Sequence, residues 1–428
     1  MKEKIFNIVS IIFLLSTSIF FGNKFYNAYK DSKVVLDNTY ITDYLKNSIS
    51  KYTLNNSLTK DNNEYIYNSK ANNNYLKYNG YLWRIIKITG NNQLVVVSED
   101  TITYLPFNSS LNWINITKYN KELEIDYDYL ENTKICTDTF NDINNISCKD
   151  TNTDYTVGLL SLDDYIKYGG SNSYLNNGTN FWTSNKYDDN KAWYINNDGK
   201  VSSDDIYERH GIRPVITIKA NTKLISGNGT IENPYIIEQR NIQTLKDTYQ
   251  GEYVKYSNNI WRIMYNKDNK IKLISENYLK NSNNIDIEYY FNDTNNIIDL
   301  KNKTLYWLNY SYIKKLDKNI TKGTFYIGTY YKEKNNYMFS YLKTLDGYVG
   351  LPSINEPFIY ELDNIYLSNP SNVDDLTTYA IRNNNLYEDV ISTKRKIRPT
   401  IYLKDSINIS SGKGTKDNPY ILGGINEA

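Results

Sequence analysis

The chain has 428 residues, and its 49 Lys and Arg nearly balance its 48 Asp and Glu, giving a net charge of +1. Nucleic-acid binders normally show a basic face and a high pI, so the composition predicts no nucleic-acid partner. Hydrophobic residues make up 40% of the chain, which is enough for packed cores and excludes wholesale disorder.

The N-terminal segment has the layout of an export signal. Lys2 and Lys4 precede an apolar stretch from Ile5 to Gly22, and such a stretch is close to the ~20 residues that span a bilayer. We interpret residues 1–30 as an uncleaved signal anchor rather than a cleaved signal, because no clean small-residue cleavage site follows. The chain is then predicted to be a single-pass cell-membrane protein with its bulk outside the cell, and residues 31–65 to form a stalk.

The rest of the chain contains two copies of one sequence pattern. Residues 75–86 match residues 253–264, with Trp83 aligned to Trp261. The further matches, in the same order, are Trp113–Asn115 with Trp307–Asn309, Val157–Leu159 with Val349–Leu351, Ile212–Ile216 with Ile397–Ile401, and 227–236 with 412–421. Ordered, domain-sized matches predict two folding units, repeat one at residues 66–239 and repeat two at residues 244–424.

The patterns within repeat one are mixed. Residues 81–88 and 94–97 are apolar, β-branched runs separated by polar residues, which predicts a hairpin. Ser161 followed by Asp163 and Asp164 is typical of a capped helix start. Strands are also expected at 192–195 and 213–218, and the combination predicts an α+β domain.

The two cysteines, Cys136 and Cys148, lie close together in the sequence. In an exported chain this spacing favours a local disulfide, and the alternative is two unpaired thiols. The spacing is not C-x-x-C and no histidine lies nearby, so a zinc site is disfavoured.

Several motifs of repeat one carry a family resemblance. The motifs are Val157–Ser161, Phe181–Ser184, Ala192–Asn196, Gly211–Val215, and the closing 227–237 segment. In this order they resemble uncharacterised exported domains of low-GC Gram-positive bacteria. The stretch is also similar to the C-terminal half of the C-type-lectin-like fold, which formylglycine-generating enzymes share. The resemblance implies two tandem C-type-lectin-like domains of α+β class after an N-terminal transmembrane helix.

The same resemblance supplies candidate ligand-binding residues, namely Trp182, Trp193, Tyr194, Asn197 and Asp198. C-type lectins have a calcium-linked Trp-Asn-Asp element near this place, so Asp198 is a weak calcium candidate and turn chemistry is the alternative. Trp182 and Trp193 would stack on a sugar or a peptide, and the alternative is core packing. Leu367 takes the place of Trp182 in repeat two on the sequence alignment, which favours the core.

The abundance of Tyr, 44 residues, has two interpretations. Tyrosine and asparagine line sugar-binding surfaces, but an AT-rich genome also enriches Asn, Lys, Ile and Tyr together, and the second explanation is favoured.

Catalytic groups are sparse. The only histidine, His210, precedes a predicted strand and is interpreted as structural. Formylglycine-generating activity needs cysteines late in the fold, whereas both cysteines here precede Val157. The acidic pairs Asp163–Asp164, Asp188–Asp189 and Asp204–Asp205 are the candidates for glycosidase chemistry. We expect no enzymatic activity, no cofactor and no metal beyond the weak calcium candidate.

The sequence therefore favours a membrane-anchored surface protein with tandem non-catalytic binding or adhesion modules for a glycan or a protein. One alternative is a structural envelope protein whose repeats associate with each other. The other is a carbohydrate-active enzyme.

Overall fold

The structure, a computed structural model, describes a large part of the chain. The described residues are 39–51, 57–108, 110, 128–292, 303–328, 330–333, 336–339, 344–354, 356–371, 376–383 and 385–423. The described helices are α1 (Ile41–Lys51), α2 (Leu162–Lys167) and α3 (Lys303–Tyr310).

The α+β class predicted from the sequence is wrong, and with it the assignment of tandem C-type-lectin-like domains after a transmembrane helix. The structure is mostly β-sheet, with 43% strand and 12% helix. Segments that lack strict alternation nevertheless form strands, because tyrosine, isoleucine, valine and threonine fit a pleated, half-buried surface. The helix predicted after Ser161 is confirmed as α2, with the Ser161 side chain accepting from the backbone N–H of Asp164.

Strands of repeat one, with the two that precede it, are listed here in chain order: β1 (Leu58–Asp61), β2 (Glu64–Tyr67), β3 (Tyr75–Tyr78), β4 (Tyr81–Ile88), β5 (Leu94–Ser98), β6 (Thr103–Pro106), β7 (Leu130–Glu131), β8 (Ile135–Cys136), β9 (Thr151–Asn152), β10 (Val157–Leu159), β11 (Phe181–Lys186), β12 (Lys191–Ile195), β13 (Val201–Asp205), β14 (Arg209–Ile212), β15 (Pro214–Ile218) and β16 (Tyr235–Ile236). The first sheet contains the path β16-β3-β4-β5-β15-β10 together with β1, β2 and β7, and the second sheet is ordered β13-β12-β11-β14-β6. Strands β8 and β9 pair only with each other.

The strands of repeat two follow in the same way: β17 (Tyr253–Tyr256), β18 (Asn259–Lys267), β19 (Lys270–Ser275), β20 (Glu288–Tyr290), β21 (Ile320–Thr321), β22 (Gly323–Tyr326), β23 (Tyr330–Glu333), β24 (Asn336–Phe339), β25 (Thr344–Gly347), β26 (Val349–Gly350), β27 (Ile365–Pro370), β28 (Thr377–Arg382), β29 (Asn385–Val390), β30 (Lys394–Lys396), β31 (Thr400–Lys404), β32 (Ile409–Ser411) and β33 (Tyr420–Leu422). The first sheet follows β33-β17-β18-β19-β31-β26, and the second is ordered β29-β28-β27-β30-β20. Both repeats therefore have the same strand order, including the parallel pairing of the last strand with the first.

The predicted hairpin is confirmed as antiparallel strands β4 and β5. The matched tryptophans occupy the same position in each repeat. Trp83 is fully buried and its indole N–H donates to the carbonyl of Tyr78 at 3.0 Å, while Trp261 donates to the carbonyl of Tyr256 at 2.9 Å. A buried tryptophan needs such an acceptor for its N–H.

The two repeats pack against each other directly. One hydrophobic cluster contains residues of both, with Trp83 and Ile85 of repeat one in the same cluster as Met264 and Phe358 of repeat two. The backbone N–H of Phe358 donates to the carbonyl of Ile102 at 3.0 Å across the junction. The domain bounds 66–239 and 244–424 stay a prediction.

The segment before repeat one is partly structured. Within the residues predicted as a stalk, α1 buries Ile41 and Leu45, and β2 pairs with β4. The predicted signal anchor, residues 1–30, lies outside the described residues. Among the residues that the structure describes, no helix is both long and apolar enough to span a bilayer, and α1 has 11 residues where a span needs about 20. The predicted single-pass location therefore has no support in the structure.

Candidate ligand pocket in repeat one

A pocket of about 430 Å³ opens over the first sheet of repeat one. Its lining combines charged, amide and hydroxyl side chains with a few aliphatic ones. The lining residues are Glu64, Lys87, Thr89, Gly90, Asn91, Gln93, Val95, Asn132, Thr133, Lys134, Cys136, Cys148, Thr151, Leu159, Leu160, Ser161, Asp163, Asp164, Val215 and Thr217. We call this the repeat-one pocket.

The floor of the repeat-one pocket is a row of neighbours on three adjacent strands. Lys87 of β4 is opposite Val95 of β5, which is opposite Thr217 of β15. Residues directly opposite each other in an antiparallel pair point to the same face, so all three side chains lie on the pocket face. Valine and threonine are short, and the space above them stays open.

One wall is the first turn of α2. The backbone N–H of Leu162 donates to the side-chain oxygen of Asn185 at 2.8 Å, which fixes the start of this helix against β11. The turn then brings Asp164 to 3.6 Å from the Lys87 amine, while Glu64 approaches the same amine to 3.5 Å from the other side. Burial acts to lower the pKa of Lys87, but the two carboxylates outweigh it and raise this pKa.

Another wall is the loop closed by a disulfide between Cys136 and Cys148. The side-chain amide of Asn185 donates to the carbonyl of Asp138 at 3.0 Å, which anchors the loop to β11. Hydrogen bonds from the backbone N–H groups of Lys149 and Asp150 lower the pKa of Asp138. The side chains of Cys136, Asp138 and Cys148 lie close enough to hold a metal ion. Thiolates are the form of cysteine that binds metals, and the disulfide removes both of them.

The corresponding place in repeat two is filled. Strand register aligns Lys87 with Tyr265, Val95 with Lys272 and Thr217 with Tyr402, because Tyr265 is opposite Lys272 and Lys272 is opposite Tyr402. The Lys272 side chain is 1% exposed. A lysine and a tyrosine thus replace the two short side chains of the repeat-one floor.

The side chains that fill this place in repeat two form an ion pair and hydrogen bonds with each other. Lys272 forms a buried ion pair with Glu356 and lies 5.6 Å from the ring centre of Tyr402. The hydroxyls of Tyr265 and Tyr402 are 3.0 Å apart, and a Glu356 oxygen accepts from the backbone N–H of Ser353 at 2.8 Å. A buried charge is tolerated only when paired and hydrogen-bonded, which is the arrangement found here.

The predicted aromatic ligand residues lie elsewhere. Trp182 is fully buried, and its indole N–H donates to the carbonyl of Leu105 at 2.8 Å. Trp193 is 8% exposed and donates to the carbonyl of Phe140 at 2.7 Å. Both tryptophans therefore pack in the core, which is the alternative that the sequence left open. Register also aligns Trp182 with Tyr366 of repeat two rather than with Leu367.

Tyr194 is half-buried and stacks on His210, with ring centres 3.9 Å apart. The Nε2 atom of His210 is 3.0 Å from a carboxylate oxygen of Asp204 on β13. The hydrogen bond from His210 is the main reason that the pKa of Asp204 is lowered. In repeat two, register places Arg395 at the position of His210 and Asp389 at that of Asp204, and these two residues form an ion pair.

Asn197 and Asp198 lie at an exposed turn between β12 and β13. The backbone N–H of Asn197 donates to the side chain of Asn180 at 2.7 Å, and that of Asp198 to the side chain of Asn196 at 3.0 Å. Asp198 does not line the repeat-one pocket. Turn chemistry accounts for both residues.

The paired arginines are backbone anchors. Arg213 is fully buried, and its guanidinium donates to the carbonyl of Ser98 at 2.8 and 3.0 Å and to that of Leu175. Arg398 does the same with Ser275 at 2.7 Å and with the carbonyl of Phe358. Each arginine therefore ties the chain just before β15 or β31 to a carbonyl of β5 or β19 and to a carbonyl of a loop.

Asp163, Asp164 and both cysteines, which the sequence analysis named, line the repeat-one pocket. The five predicted ligand-binding residues do not line it. Sequence reasoning missed Lys87, Val95 and Thr217. One signal was available: within otherwise matching strands, repeat two carries a large side chain where repeat one carries Val95 and Thr217.

The doubled sheet and the repeat-one pocket define a two-repeat β protein whose equivalent strand positions are open in one copy and filled in the other. No family model matches the chain, and no curated protein or solved structure matches it either.

Proposed function

We propose that the protein is a non-catalytic binding protein whose repeat-one pocket holds a polar group of a glycan. The supporting observation is the contrast between two copies of one fold. The same strand positions enclose an open pocket in repeat one and a sealed ion pair in repeat two. Repeat two shows that side chains can fill this space. Repeat one leaves it open and lines it with polar side chains, which suits a ligand.

The chemistry of the lining favours a saccharide. Amide and hydroxyl side chains both donate and accept hydrogen bonds, and sugar hydroxyls do the same. None of the lining residues is aromatic, so ring stacking has no part in this site. A protein ligand would need a more apolar centre, since the cores of protein interfaces are apolar.

A glycosidase is less well supported by the same geometry. Two carboxylates must face each other across the scissile bond, about 5 to 10 Å apart. Asp163 and Asp164 are adjacent on one helical turn, and Asp164 and the third lining carboxylate, Glu64, both pair with Lys87.

A glycan array probed with the full chain, followed by calorimetric titration of the best glycan, tests the proposal. Thr217→Tyr introduces the residue of repeat two and should fill the pocket. We expect glycan affinity to fall at least tenfold, about 1.4 kcal/mol. The matched control is Thr59→Tyr, an exposed position on β1 away from the pocket, which should leave affinity unchanged.

Absence of any glycan that binds the full chain at millimolar concentration would overturn the proposal. So would a glycan whose affinity is the same for the protein and for a folded Thr217→Tyr variant.

A further inference from the structure

The charges of the repeat-one pocket are unevenly paired. Its carboxylates are Glu64, Asp163 and Asp164, and its amines are Lys87 and Lys134. Lys87 lies between Glu64 and Asp164, so its charge is already neutralised by two partners. Lys134 is exposed at the loop. An anionic ligand would meet three carboxylates and would find only the exposed Lys134 outside an ion pair among the lining amines, which makes that class a poor fit.

Asp163 is the carboxylate outside these ion pairs. Around α2, Lys87 pairs with Asp164, and Lys167 pairs with Asp61 at 3.1 Å. Asp163 is half-buried at the pocket wall. Burial, and next the adjacent charge of Asp164, raise the pKa of Asp163, while Lys167, Lys87 and a hydrogen bond from the backbone N–H of Cys148 act to lower it. Because burial and the like charge prevail, a cation that arrives with the ligand would stabilise the ionised carboxylate further.

We propose that the repeat-one pocket selects a saccharide that carries a protonated amine, with Asp163 as the residue that recognises the amine. This inference rests on the proposed glycan-binding function. The lining amides and threonines would hold the sugar hydroxyls, and Asp163 would accept a charge-assisted hydrogen bond, which is stronger than a neutral one. Asp163 is then the specificity-determining residue of the site.

The test compares two trisaccharides that differ only at nitrogen, tri-glucosamine and its fully N-acetylated form, titrated into the full chain at pH 6. Acetylation removes the positive charge while the ring hydroxyls stay. We expect the amine form to bind at least tenfold more tightly. Asp163→Asn should abolish this preference and leave the weaker affinity for the acetylated form in place. Asp189→Asn, which changes an exposed acid in the β11–β12 hairpin, should keep the preference.

A second measurement needs no variant. Affinity for tri-glucosamine should fall as salt rises from 20 to 500 mM, because salt screens a charge pair that is only partly buried, while affinity for the acetylated form should stay level. Equal binding of both trisaccharides, or tighter binding of the acetylated one, overturns the amine inference and leaves glycan binding intact. If neither binds, the amine inference fails, and the array with Thr217→Tyr decides the proposed function separately.

Discussion

Repeat one and repeat two share a strand order but differ in what lies above the same three strands. In repeat one, Val95 and Thr217 leave the face of the sheet open, whereas in repeat two Lys272 and Tyr402 close it. The framework around the difference is kept, including a buried arginine, a buried tryptophan and an asparagine whose side-chain oxygen accepts from the backbone N–H of an earlier segment, Leu162 or Ile354. The comparison teaches that two side chains on neighbouring strands distinguish an open pocket from a filled core.

The largest expected effect comes from breaking the buried Lys272–Glu356 ion pair of repeat two. Lys272→Met should lower the free energy of unfolding by about 3 to 5 kcal/mol, because removing one partner leaves the buried Glu356 carboxylate without its counter-charge. Chemical denaturation measures this change. The control Lys404→Met, at an exposed position on β31, should change stability by less than about 0.5 kcal/mol.

The double variant Lys272→Met with Glu356→Met separates charge from packing. Replacing a buried ion pair by apolar residues often changes the free energy of unfolding little. The double variant should therefore recover most of the stability that Lys272→Met loses. If Lys272→Met is as stable as the parent protein, the Lys272–Glu356 pair of repeat two is not part of a sealed core, and the comparison of the repeats fails.

The next effect concerns the disulfide-closed loop of repeat one. Cys136→Ser with Cys148→Ser removes a disulfide that spans 12 residues, and the chain-entropy model gives a loss of roughly 3 kcal/mol. Thermal and chemical denaturation of the oxidised protein and the variant measure it. A reductant should destabilise the parent protein to the level of the variant and should not change the variant. Equal stability of all forms would contradict the expectation.

The smallest effect concerns the His210–Asp204 pair, whose counterpart in repeat two is the Arg395–Asp389 ion pair. The pKa of Asp204 in the folded protein is lowered, so its carboxylate stabilises the fold above its ordinary pKa, near 3.9, and this contribution is lost as the pH falls through the lowered value. Stability curves of the protein and Asp204→Asn should differ above pH 4 and converge below it. Asp189→Asn is the control. A stability difference that grows on acidification would reverse the sign and reject the assignment.

Sequence patterns predicted the features that depend on near neighbours. The hairpin of β4 and β5, the Ser161-capped helix α2 and the turn at Asn196–Gly199 follow from periodicity, capping and turn chemistry. Comparison of the chain with itself aligned Trp83 with Trp261 and Arg213 with Arg398, and these pairs occupy equivalent positions. The sequence alignment paired Trp182 with Leu367, one residue away from its structural counterpart. Strand register aligns Trp182 with Tyr366, and no matching residues in the sequence mark that position.

The sequence by itself determined that one pattern occurs twice and where its local turns, caps and hairpin lie, because those signals are carried by residues a few positions apart. Only the tertiary structure decided that the chain is mostly β-sheet, that Trp182 and Trp193 are core residues, and that Lys87, Val95 and Thr217 share one face. These outcomes depend on partners far apart in sequence, such as Val95 and Thr217. A pocket is the space left between such partners.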